Sequence, residues 1–478
     1  MENLEINQTL TYPTDYDDGT NENKFNEFID EDIEKNCIKK TKSDKNKLTL
    51  KNASIEIFNT IIQIDFIVTP ILFFLNGFIP SIFIILIIYY LQMGSLNNIL
   101  HCKKITSRYT LTVYGRLIFG LKGKYFVQIL CLIKPIIICC ICLLVLNKIF
   151  IHLFVLLLEF LFGGNYIKRE ILSLIFISII FFMLYWKRFS INKSTFNFFY
   201  LTTLFFTIMN SFIYLLYCII KRKINLDEFN GINFGAFNFY NIIKGFGICL
   251  FTFTYQSKIF KTYLSLKVRN AIEMKNSVHF GFLTAICLIS FIGYTNSFNI
   301  KNNNYNDLID KLFFDIGNYN SYILKILIII QLILIFILSS FYLITISIYL
   351  RKKVNSLIRE YSKKFIEEEK TETEKREKEE EIEKKLVILN VIMFLFLFIF
   401  SFYFKNICSI VYFFGVCSSN CLSIIVPAIF VILLKKETFF TKKCISEKVS
   451  LVVGMFFIFS SIILFFMNFK KKIRKIEK

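Results

Sequence analysis

Asp65 and Lys134 are the residues that most need explaining, because each is an ionisable side chain set in an otherwise apolar run. A carboxylate or ammonium near the centre of a bilayer is costly unless it is paired, hydrated or neutralised. Such groups mark proton and ion paths or counter-charges for a substrate. Asp65 lies in the stretch Asn59-Thr-Ile-Ile-Gln63-Ile-Asp65-Phe66-Ile-Val-Thr69-Pro70. Asn59, Gln63, Asp65 and Thr69 put polar groups at one depth, and Pro70 removes a helix hydrogen bond there. This is the composition of a discontinuous membrane helix, which exposes peptide groups to a solute or an ion. Lys134, beside Pro135 in another apolar run, has the opposite sign. The pair offers two chemistries: a mutual ion pair, or titration of one member during a transport cycle. The alternative is a static buried pair that only locks packing. Lys244 is a third ionisable group in an apolar run, close enough to a helix end to snorkel towards headgroups.

The other reactive residue types form no site. His101, His152 and His279 have no Cys, Asp or Glu neighbours at metal-ligand spacing. His279, on an apolar helix, reads as a hydrogen-bonded packing residue. The thirteen cysteines lie mostly inside apolar runs and read as small packing residues. No nucleophile motif, phosphate loop or paired-carboxylate site occurs, so neither an enzyme, a cofactor nor a metal is expected.

The elements that position Asp65 and Lys134 are membrane helices. Eleven apolar segments alternate with short basic connectors, at residues 55–75, 79–96, 125–146, 170–185, 195–220, 237–255, 277–298, 319–350, 385–404, 407–434 and 449–469. Runs of about 20 apolar residues match a bilayer core. The stretch 149–162 is apolar but short, carries His152 and Glu159, and reads as an interfacial or re-entrant piece. The expectation is an all-α polytopic membrane protein with about 11 transmembrane helices.

Composition agrees. Apolar residues make up 55% of the 478, and the formal net charge is +21. The basic residues are scattered over the connectors, as membrane flanks require, and do not form the single patch a nucleic-acid partner needs. Residues 1–54 read as a disordered cytosolic tail and 55–469 as the membrane domain. A charged, solvated helical insertion falls at 351–385 and a basic tail at 470–478. With a cytosolic N-terminus, five Lys/Arg-rich connectors fall inside. Lys221-Arg222-Lys223 and the C-terminal lysines are the exceptions.

Three stretches carry a family resemblance. They are Tyr109 with Phe119-Gly120-Leu-Lys-Gly123-Lys124; Phe251-Thr252-Phe253-Thr-Tyr-Gln256 followed by Tyr263 and Gly293-Tyr294; and Phe413-Phe-Gly415-Val-Cys-Ser418-Ser419-Asn420 leading to Pro427. In that order and spacing the chain resembles the amino acid/auxin permease family, the transmembrane amino acid transporters, over about Asn59 to Leu434. The resemblance implies a leucine-transporter-like five-plus-five inverted repeat with an extra helix, and first and sixth helices broken at mid-membrane. A small-molecule substrate would sit between the breaks. Gln63 and Thr69 would give polar contacts, Phe66, Phe251 and Phe253 would line and gate the site with Thr252, and Asp65 and Lys134 would couple charge. Family members usually have small residues where this chain has Gln63 and Asp65, which points to a cationic substrate or a proton acceptor at Asp65. The resulting expectation is a secondary-active transporter of amino acids or related amines, coupled to protons, in the plasma membrane or a vacuolar or other endomembrane. A non-transporting amino-acid sensor on the same scaffold is the alternative.

Overall fold

The computed structural model describes residues 47–62, 68–162, 193–220, 238–297, 322–366, 407–435 and 444–476, with the single residues 388, 392 and 395. The expected fourth span, most of the ninth, the tail up to residue 46, the insertion beyond residue 366, and Gln63, Asp65 and Phe66 lie outside the described residues. What is described is helical. The helices are α1 (Leu50–Ile61), α2 (Thr69–Asn76), α3 (Phe78–Thr106), α4 (Leu111–Phe162), α5 (Lys193–Ile220), α6 (Phe239–Phe253), α7 (Ile259–Ser265), α8 (Ala271–Ser297), α9 (Tyr322–Ile366), α10 (Ile407–Phe414), α11 (Val426–Leu434) and α12 (Ile445–Ile476). Two π-helical turns, Gly415–Ser419 and Cys421–Ile425, join α10 to α11.

Six stretches among the described residues are long and apolar enough to cross a bilayer: Phe78–Thr106, Leu111–Ile151, Ala271–Ser297, Ile329–Ile358, Val411–Leu434 and Ile445–Ile463. Large apolar side chains face outwards. Phe83, Leu86 and Tyr90 on α3 and Phe456, Phe459 and Ile463 on α12 are between 50% and 78% exposed. Water would not tolerate patches of this kind over so much of a surface, whereas lipid is their natural contact.

At the centre stands α6, buried without interruption from Gly245 to Phe253. A helix that is apolar all round belongs in a core. It starts where the Asn238 side chain accepts the Tyr240 N–H at 3.1 Å. Its neighbours come close because it has no side chain in two places. Gly245 faces Leu72 and Asn76 of α2, and Gly247 faces the Tyr412 carbonyl of α10. Opposite Gly247 lies Gly415, where a methyl group would run into the Gly247 carbonyl oxygen. Small residues allow this approach of backbones between membrane helices.

Several helices differ from the expected spans. α4 begins at Leu111, well before residue 125, and is sharply bent at Gly120 (φ 64°, ψ −154°). That conformation is open only to glycine, and the bend brings Gly115 against Gly123. The same helix runs on to Phe162, so 149–162 is a continuation of the third span and not a separate re-entrant piece. Asn147 and Lys148 interrupt the apolar run without interrupting the backbone ladder, which hydropathy alone does not distinguish. α9 likewise carries the eighth span on through Arg351 to Ile366, into the expected charged insertion, and α12 extends to Ile476 through the basic tail.

α1 begins at Leu50, capped by Thr49, whose side chain accepts the Asn52 N–H at 3.4 Å. Just before it, Leu48 forms a parallel bridge with Leu266, beyond the end of α7. The Leu48 N–H donates to the Ser265 carbonyl at 2.7 Å, and the Lys267 N–H donates to the Leu48 carbonyl at 2.9 Å.

The Gly247–Gly415 contact yields a test. Gly415→Ala must push the π-helical turn after α10 away from α6, a form of overpacking that costs about 1–3 kcal/mol. The purified variant is expected to unfold several degrees below the wild-type chain in a detergent melt, whereas Gly94→Ala, where a methyl group meets nothing within 4 Å, leaves the melt unchanged.

Candidate functional site at the helix interruption

The central helix stops inside the bundle. α6 ends at Phe253; Thr254 is extended (φ −76°, ψ 117°), Tyr255 turns (φ −130°, ψ 0°), and helix resumes as a short 3-10 turn, Gln256–Lys258, leading into α7. No proline or glycine causes the break. The run Phe251-Thr-Phe-Thr-Tyr-Gln256 is rich in β-branched and aromatic residues, which favour extended backbone over helix.

Such an end leaves carbonyls without intrahelical donors, and they form the negative end of the helix dipole. In this chain its own side chains meet them. The Thr254 hydroxyl donates back to the Leu250 carbonyl. The Lys134 ammonium, reaching across from α4, donates to the Thr254 carbonyl at 2.9 Å and lies 3.5 Å from that of Thr252. It also sits 5.4 Å from the centre of the Phe251 ring, within cation–π range. Lys134 is half-buried, while Phe251, Thr252, Phe253 and Thr254 are all buried. Beyond the break the Gln256 side chain accepts the Tyr255 N–H at 3.0 Å and donates to the Gln92 side chain of α3. Phe253 stacks on Phe282 of α8 at 5.0 Å, and Tyr255 meets the same ring edge-on at 5.7 Å.

The first membrane segment has a matching pair of ends. α1 closes at Ile62, whose N–H donates to the Phe58 carbonyl at 2.9 Å and whose own carbonyl accepts the Tyr200 hydroxyl of α5 at 2.6 Å. α2 opens at Thr69 with Pro70 in its first turn, where a missing N–H does no harm. Thr69 is buried. α2 and α6 run side by side in opposite directions: Asn241 donates to the Leu75 carbonyl at 2.9 Å, and Gly245, one turn on, faces Leu72. The N–H end of α2 and the carbonyl end of α6 therefore point to the same end of the pair. One attracts an anion and the other a cation.

Of the residues picked out from sequence, Thr69, Phe251, Thr252, Phe253 and Lys134 belong to these helix ends, while Gln63, Asp65 and Phe66 fall in the undescribed stretch between α1 and α2. Tyr200, Gln92 and Thr254 were not singled out. Gln92 had a signal, an amide within an apolar run; Tyr200 had none, being one of 24 tyrosines. His279 is hydrogen-bonded to the Tyr89 hydroxyl, and Lys244 lies 3.8 Å from the centre of the Tyr240 ring. Among the described residues no group of three His, Cys, Asp or Glu side chains could hold a metal.

A lipid-facing helical bundle with a buried helix interrupted beside another helix end fits a membrane transporter. Among solved structures the chain is similar to Mhp1, a nucleobase-cation-symport-1 family transporter, in a closed conformation with bromovinylhydantoin bound. The TM-score is 0.50 at 12% identity, covering 88% of this chain and 93% of that one, a likeness of fold. No curated protein matches the sequence at a significant level. The family described as transmembrane amino acid transporter protein matches residues 46–468, and the chain belongs to that family. It is an integral membrane transporter and not an enzyme.

The Tyr200–Ile62 contact can be tested alone. Tyr200→Phe leaves a buried carbonyl without its donor, which costs about 1–3 kcal/mol. The variant is expected to melt below wild type, with faster amide hydrogen exchange in the last turn of α1 and unchanged exchange in α12.

Proposed function

We propose that the protein is a secondary-active transporter of amino acids or related amines, driven by protons and working by alternating access. The observation that carries this reading is the interruption of α6 at Thr254 and Tyr255, its carbonyl end turned the same way as the N–H end of α2. A zwitterionic solute is complementary to such a pair: its carboxylate suits the first-turn N–H groups of α2, and its amine suits acidic oxygen or carbonyls of the interruption other than the two that Lys134 holds. Membership of the transmembrane amino acid transporter family supports the substrate class.

In this reading Gln63, Asp65, Phe66, Thr69, Phe251, Thr252 and Phe253 hold the substrate. The phenylalanines act as gates, and Asp65 with Lys134 couples charge movement to transport. The helices form two inverted sets of five with one more at the end. The first and sixth are the broken ones, the N-terminus is cytosolic, and the host membrane is the plasma membrane or a vacuolar or endomembrane.

Radiolabelled amino acids offered to proteoliposomes, with and without an inward-acidic pH gradient, test the proposal. Saturable uptake that the gradient stimulates is expected. Binding without uptake under either condition would overturn transport in favour of sensing. Asp65→Asn is expected to lower gradient-driven uptake by roughly tenfold or more, equivalent to about 1.4 kcal/mol, while the melting temperature holds. Unchanged pH-dependent uptake in that variant would remove Asp65 from the mechanism.

A further inference from the structure

The carbonyl end of α6 is the feature in the bundle most suited to a cation. Three oxygens, those of Leu250, Thr252 and Thr254, accept from side chains at the end of the helix ladder. An interrupted membrane helix of this kind is where an alkali metal ion can bind, because unwound carbonyls and the negative end of the dipole replace its hydration shell. Here the place is taken. The Leu250 carbonyl accepts the Thr254 hydroxyl, the Thr252 and Thr254 carbonyls face the Lys134 ammonium, and the Phe251 ring lies under the same charge. The corresponding end of α1 is closed by a neutral donor, the Tyr200 hydroxyl on the Ile62 carbonyl.

We propose that Lys134 is a tethered cation. Its ammonium occupies the carbonyl cradle at the α6 interruption, so the protein needs no exchangeable alkali metal ion there, and the charge such an ion would bring is built into α4. The proposal rests on the transporter reading and narrows it. An ammonium is about the right chemical substitute, since it carries the same unit charge and donates to the oxygens a metal ion would polarise. Its attachment through four methylene groups to a membrane helix keeps it from leaving with the solute. Pro135, next in sequence, cannot donate to the preceding turn, which loosens α4 at the point where the side chain departs.

The consequence can be read without measuring transport. The full-length protein in detergent is melted at constant ionic strength in sodium, potassium or choline chloride, and again with methylammonium titrated in. A species that binds only the folded state raises the melting temperature saturably. Wild type is expected to melt at the same temperature in all these salts. Lys134→Ala, with the cradle vacated, is expected to melt lower and to be raised by a few degrees, saturably, by sodium or methylammonium but not by choline. Lys134→Met, which keeps most of the apolar stem, is expected to behave likewise and serves if the alanine variant does not fold. Lys244→Ala, whose ammonium lies over a tyrosine ring, is the control and is expected to gain no such response. Saturable stabilisation of wild type by sodium would overturn the proposal, and so would Lys134 variants that ignore every cation. Because the readout is unfolding, a protein that moves no amino acid would sink the transport reading and leave this result standing.

Discussion

Within a bilayer, a peptide carbonyl turned out of its helix has to find a donor inside the protein, because lipid supplies none. Much of the arrangement follows from that constraint applied at Thr252 and Thr254. Stopping α6 in the middle of the bundle creates the exposed oxygens; holding them needs a donor with long reach and positive charge, and α4 presents Lys134. α4 and α6 are tied together by a contact that neither helix could make if α6 were continuous. The end of α1 obeys the same constraint with a weaker, uncharged donor.

Close approach of backbones gives that contact its setting. α6 is buried by α2 on one side and α10 on another, and it reaches both through Gly245 and Gly247. The π-helical turns that begin at Gly415 widen the helix from its tightest contact onwards, and irregular turns of this type recur at functional positions.

How much of this could be read from the chain depends on the range of the interaction. Hydropathy gave the helical class and most spans, because burial in lipid is a local property of 20-odd consecutive residues. Lys134 and Thr69 stood out for the same local reason, being polar where their neighbours are not. The partners of Lys134 could not be read, since two main-chain oxygens more than a hundred residues away leave no trace in composition. Tyr200 was equally silent, an aromatic among many, acting through its hydroxyl on another backbone group. The bend at Gly120 lay within a stretch already marked by its glycines, whereas the continuity of α4 through Asn147 and Lys148 was hidden because a polar pair looks like a connector whether or not the ladder continues. The α6 break carried only the weak signature of threonines and aromatics.

The bridge between Leu48 and Leu266 joins the approach to α1 with the exit from α7 entirely through main-chain groups. Its two donors are the peptide nitrogens of residues 48 and 267, so side-chain chemistry at those two positions has little say in whether the fastening holds. Related chains can therefore drift freely there and keep the same tie, with proline as the one replacement that deletes a donor. A fastening of this sort is inherited as geometry, and comparing residue identities among relatives would pass over it.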